Sequence, residues 1–201
     1  FAFAFSVFGQ QMFIVAYFGT RPFQITDGSN EYTMGDYLRH RIVTCLAAVG
    51  AGILYLVFSG YAPDKMAVIF LMVCYKVIDG FADVFESEFQ RNGNLHLTGK
   101  SNTFRTILSV SLFLITLTAT KNLVVSCMAA VAAQVLGMLV IDVSVIRRLS
   151  GISWERKQGS LKALFGSTFL LFISTFLDFY VFSSARYAID AHLNDAASGY
   201  F

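Results

Sequence analysis

Five polar residues recur at steps of three and four along one stretch: Lys76, Asp79, Asp83, Glu86 and Gln90. At about 100° per residue they fall within an arc of roughly 80° on a helix. The flanking residues on the other faces are Phe, Val, Ile and Met. A helix with such a stripe presents one charged face and several apolar ones. Within hydrocarbon a charge costs several kcal/mol, about 2.5–3.5 on insertion scales. The stripe is therefore expected to face a bundle interior or a hydrated cleft. There, Lys76 would be a cation for an anionic substrate. Asp79 and Asp83 would line the same face beside it. The plainer reading is a Lys76–Asp79 pair that only neutralises itself. Asp79-Gly80 with Asp83 also suggests the metal-binding carboxylates of membrane lipid transferases, but the further acidic and basic residues of such a motif are missing.

Other polar residues inside apolar runs are Gln10, Gln11 and Gln134, which interhelical hydrogen bonds explain. Asp178 is flanked by Phe and Tyr, and a cavity carboxylate or proton site is one reading of it. Asp142 is expected at the interface near Arg147. His40, His96 and His192 are expected in solvated loops. Cys45, Cys74 and Cys127 match no metal-ligand spacing and are expected as packing residues. There is no Walker A loop, no GxSxG and no HExxH. The expectation is a non-enzyme without cofactor or metal, and without a nucleic-acid partner.

The elements that would position these residues follow from composition. Apolar residues make up 56% of the chain and charged residues 14%, with 21 Phe among 201 residues. A soluble domain carries about 25% charged residues. The solvent must be partly lipid. Six apolar segments can be drawn, at residues 1–20, 42–62, 64–86, 106–120, 122–141 (extending to about 146) and 163–185. Each approaches the roughly 20 residues that span a bilayer as a helix. Strands would alternate over about ten residues, and these runs do not. The chain is read as an all-α integral membrane protein with six transmembrane helices. Arg105 is assigned to an interfacial helix end. Small residues four apart, Ala129, Ala133 and Gly137, and Ala48 and Gly52, suit close helix contacts.

Loops 21–41, 87–105 and 147–162 hold eleven basic residues, against Lys65, Lys121 and Arg186 on the other side. The positive-inside rule places the first set in the cytoplasm, where Arg147-Arg148 and Arg156-Lys157 would meet anionic lipid heads. The connections at 62–65 and 121–122 read as tight turns. Asp27-Gly28 marks a turn, and Thr33 with Asp36 forms a capping-box pattern. The chain opens at Phe1 inside an apolar run, and Gly199-Tyr200-Phe201 reads as the start of another. Both ends are expected to be truncations.

The string Arg21-Pro22-Phe23-Gln24-Ile25-Thr26-Asp27 resembles the end of the second helix in polysaccharide-biosynthesis flippases. Asp36-Tyr37, Arg41, Lys76-x-x-Asp79-x-x-x-Asp83 and Gln90-Arg91-x-Gly93-x-Leu95 follow in that family's order. Arg186-Tyr187-Ala188-Ile189-Asp190 is similar to the segment after its seventh helix, with Ala185 where a proline is usual. The family is the multidrug/oligosaccharidyl-lipid/polysaccharide exporter superfamily, MATE-like in fold. The resemblance implies two six-helix lobes about a central cavity that opens alternately to each side. Residues 1–160 would be helices two to six of the first lobe. Residues 161–201 would be the seventh helix and the start of the next. The implied substrate is an oligosaccharide on undecaprenyl pyrophosphate in a bacterial cytoplasmic membrane. Substrate or cavity residues would be Arg21, Gln24, Lys76, Asp79, Asp83, Asp178 and Arg186. Partners would be that substrate, membrane lipids and a coupling ion. The rival readings are a cation- or proton-coupled multidrug exporter of the same fold, a membrane polysaccharide polymerase or ligase, and a purely structural subunit.

Overall fold

The computed structural model describes residues 1, 3–29, 31–149, 152–155 and 157–192, the last four of them by backbone alone. All regular structure among the described residues is helical. Helix α1 spans Phe3–Tyr17, with π-helical winding over Phe3–Phe8, and α2 spans Thr20–Thr26. Then come α3 (Met34–Ser59), α4 (Pro63–Arg91), α5 (Leu95–Thr120), α6 (Leu123–Ile146, π-wound over Met138–Asp142) and α7 (Ser160–His192).

Local chemistry sets the ends. Thr33 accepts from the Asp36 backbone N–H, and the Asp36 side chain accepts from Thr33, so the expected capping box starts α3. Asn122 caps α6 by accepting from Val124 and Val125. Pro63 opens α4, where a missing N–H costs nothing. The connection expected at 121–122 is Lys121–Asn122, and the one expected at 62–65 falls earlier, at Gly60–Ala62, because α4 already begins at Pro63.

Four helices, α3, α5, α6 and α7, are long and apolar enough to cross a membrane. A fifth span arises if α1 and α2, bent by 42°, count as one. The expected sixth, α4, is not apolar enough, because Lys76, Asp79 and Asp83 interrupt its run. Its position explains that composition. It packs against α1, α2, α3, α5 and α6, so it needs no lipid-compatible surface all round. By contrast α5 and α7 are each only 11% buried over their most apolar windows. α7 lies on the flank of α1 and α3.

The expected long loop at 87–105 is replaced by a three-residue link, Asn92–Asn94. The polar residues of that stretch stay helical because the bundle satisfies them. Ser87 donates to the Asp83 carbonyl, Thr98 to the Glu86 carbonyl, and Ser101 to Asp142. Arg21, Arg41, Arg91 and Arg105 consequently leave the surface tally and enter the helices. Arg147, Arg148, Lys157 and Lys162 remain exposed, and Arg156 is outside the described residues.

The expected first span ends early. Phe18 and Gly19 are both left-handed, with φ of 50° and 64°. The backbone N–H of Phe18 still closes on Ile14. A helix that stops inside a bundle leaves orphan carbonyls. Here Arg41 donates to Ala16 O (3.1 Å) and Tyr17 O (2.8 Å), and Thr44 to Ala16 O (2.7 Å). The last two carbonyls of α1 thus have donors from α3, as a helix end in apolar surroundings requires.

Candidate functional site

The stripe residues of α4 meet partners from α1, α2, α3, α5 and α6, with Arg21 and Arg105 each shared by more than one of them. Lys76 donates to Gln10 Oε1 on α1 (3.0 Å) and lies 4.3 Å from the Phe5 ring centre. It forms no ion pair with Asp79, so the self-neutralising pair is not what the structure holds. Asp79 accepts from Arg105 (3.1 Å) and Gln134 (3.1 Å). Asp83 joins Arg21 through one oxygen and Arg41 (3.0 Å) through the other. Glu86 takes Arg105 at 2.6 Å, with Arg21 at 3.8 Å. Gln90 accepts from Arg21 (3.1 Å).

Arg105 is the centre of this arrangement. It is 1% exposed and reaches Asp79, Glu86 and Asp142 at once. Gly137 makes room for it, since a Cβ there would lie 2.8 Å from Arg105 Cγ. Arg105 and Asp142, expected at the interface, are therefore both buried, because each removes the other's charge from hydrocarbon. At formal ionisation the cations Lys76, Arg21, Arg41 and Arg105 stand against the carboxylates Asp79, Asp83, Glu86 and Asp142. The group is not uniformly buried. The Asp79 side chain is 29% exposed and that of Arg21 25%, whereas Arg41 is fully buried. Gln10, Lys76 and Gln90 are half-buried with them, so one polar face stays open along α1, α2 and α4.

A second cluster knits α2 to the end of α4. Gln24 is buried and donates to Val84 O (2.9 Å) and Glu88 (3.0 Å). Arg91 pairs with Asp27 (3.1 Å) and Glu88 (3.5 Å). Asp27 also accepts from Glu31 N, Tyr32 N and the Tyr37 hydroxyl. Burial alone would push its carboxyl up, but these donors and Arg91 hold it below the ordinary value of 3.8.

Of the residues singled out from the sequence, Arg21, Asp79 and Asp83 share the network, and Lys76 sits at its edge. Gln24 belongs to the second cluster, where it ties α2 to α4. Asp178 is exposed on α7. Arg186 is half-buried, and its neighbour Tyr187 packs on Phe3, at the opposite end of α1 from Arg21. Helix α7 continues through Ala185 and Arg186 without a turn, as alanine in place of proline allows. Side chains from Ile189 on, and the expected segment at Gly199–Phe201, lie outside the described residues.

Arg41, Arg105 and Asp142 are the network members that sequence reasoning misplaced. The four-residue spacing of Ser101 and Arg105, facing Glu86 and Asp142 in other helices, is visible only once the helices are packed. His40 is not a loop residue either. It is fully buried in α3, 3.3 Å from Thr20 Oγ1 and packed against Phe165 with the rings tilted by 42°. Gln11 makes its interhelical bond, to Phe176 O on α7 (3.3 Å). The three cysteines are free thiols. Among the described residues no group of three or more His, Cys, Asp or Glu side chains is placed to hold a metal. A separate cavity of about 290 Å³ opens between α1, α4, α5 and α6 against Phe5, Met72, Tyr75 and Phe113, and none of the charged residues lines it. No family model, curated protein or solved structure matches this sequence.

Proposed function

We propose that the chain is part of a multi-pass bacterial membrane flippase. In this reading it moves an undecaprenyl-pyrophosphate-linked oligosaccharide by alternating access, with the two-lobed MATE-like architecture and six spans in this portion. The observation that carries it is the open polar face of Gln10, Lys76, Asp79, Arg21 and Gln90 on an otherwise apolar bundle. A pyrophosphate and its sugars cannot cross hydrocarbon unaided. They need a hydrated, cationic wall while the lipid tail stays in the bilayer. Lys76, held by neutral Gln10 rather than by a carboxylate, keeps its charge available for an anion. Repeat-built transporters place such sites near mid-membrane, and Lys76 is near the middle of α4.

The second reading is a cation- or proton-coupled drug exporter of the same architecture. The observation in its favour is the gathering of four carboxylates in one network. Asp178, which that reading would make central, stands apart from it.

The test is Lys76→Ala in the intact membrane protein, scored for surface polysaccharide with protein level followed by blot. Normal level with lost polysaccharide is expected, and Lys76→Arg should restore part of it. Normal polysaccharide in Lys76→Ala would sink the flippase reading. Asp79→Ala is the poorer test, because it also unpairs Arg105.

A further inference from the structure

The first apolar helix is interrupted at Phe18–Gly19, and Phe18 adopts a left-handed backbone that a bulky residue rarely takes. Such conformations persist where the surroundings enforce them, and they cluster at switch regions. Thr44 on α3 holds Ala16 O, and a single carboxylate on α4 fastens both flanks of the break. Asp83 Oδ2 accepts from Arg41, whose other nitrogen holds the last carbonyls of α1, before the break. Asp83 Oδ1 takes Arg21, in the first turn of α2, just after the break. Both sides of the interruption are therefore fastened to Asp83 on α4, with Arg21 also donating to Gln90 (3.1 Å) further along the same face.

The two fastenings differ in access. Arg41 is fully buried, and its Asp83 contact is sealed by the bundle. Arg21 is 25% exposed and belongs to the open polar face. An anion arriving at that face can compete with Asp83 for Arg21, but cannot reach Arg41. The Gln24 and Asp27 contacts keep the far end of α2 tethered to α4. Loss of the Arg21 contact would then change the bend without freeing the segment.

We infer that Phe18–Gly19 is a hinge clamped by Asp83, and that the anionic group of the substrate opens it by drawing Arg21 away. The identity of that group rests on the flippase reading; the hinge does not. The experiment is hydrogen exchange with mass spectrometry on the purified protein in lipid nanodiscs, following the peptide covering 18–27. Arg21→Gln should speed exchange there by about tenfold, the scale of one lost charge-assisted hydrogen bond, and Arg21→Lys by less. Millimolar inorganic pyrophosphate should reproduce the effect in the unaltered protein and add nothing in Arg21→Gln. Peptides of α6 should not change. Unaltered exchange at 18–27 in Arg21→Gln would overturn the clamp. A response to Arg21→Gln with none to pyrophosphate would overturn the anion trigger. A pyrophosphate response alongside normal polysaccharide in Lys76→Ala would leave the hinge standing and remove the flippase.

Discussion

Arg105 holds three carboxylates with one guanidinium, and its removal would leave two of them, Glu86 and Asp142, without that cation in a low-dielectric interior. Breaking a buried ion pair from one side costs about 3–5 kcal/mol. Arg105→Ala is expected to destabilise the protein by at least that order, read as a large drop in Tm in detergent. Arg105→Lys should recover only part of the loss, because a point charge cannot span partners that a planar fork reaches together. At Asp27 the test is acid. Its folded pKa lies below the unfolded value, so its contribution is present above about pH 4 and is lost as pH falls through the folded pKa. The difference in Tm between the native protein and Asp27→Asn should therefore shrink on acidification below about pH 4. A constant difference down to acid pH would deny the carboxylate that role.

At the scale of the elements, the break between α1 and α2 depends on Gly19. Its φ is +64°, and a Cβ there would lie 2.9 Å from Leu171 Cβ on α7. Gly19→Ala then carries a left-handed cost of about 1–2 kcal/mol, in addition to pushing α7 away. A lowered Tm is expected, together with weaker protection of α7 amides near Leu171. If both stay as they are, the left-handed turn is not what seats α7. Further along the chain, Asp36 accepts from Ser160 Oγ (2.6 Å) and Lys157 N (3.0 Å), so the α6–α7 connection is tied to the start of α3. The residues that cap one helix thus also place another.

For the whole molecule, orientation is the testable property. After four arginines move inward, the exposed basic residues still gather at the ends joined by the 92–94 and 147–159 connections. The positive-inside rule puts that side in the cytoplasm. In a background without native cysteines, Lys121→Cys should react with an impermeant maleimide on intact cells. Arg148→Cys should react only after permeabilisation. The reverse pattern would invert the topology.

The helical, membrane-adapted character was readable directly, because hydrocarbon accepts only self-satisfied backbone and the apolar runs have helix length. The polar face of α4 was readable too, since a three–four spacing needs no tertiary information. The Thr33–Asp36 cap was legible for the same reason, being local. What lay beyond reach was every pairing between helices. Nothing in the neighbourhood of Arg105 or Asp142 reveals that they meet, because they are 37 residues apart and half a turn of rotation of either helix would point them apart. The break at Phe18–Gly19 was equally hidden. Its two residues are ordinary for an apolar run, and the left-handed turn is tolerable only because Arg41 and Thr44 on α3 take up the carbonyls it leaves behind. Spacing along one helix fixed which charges share a face. Packing alone decided which opposite charge each would find, because in an apolar solvent a buried ion settles where a partner can reach it.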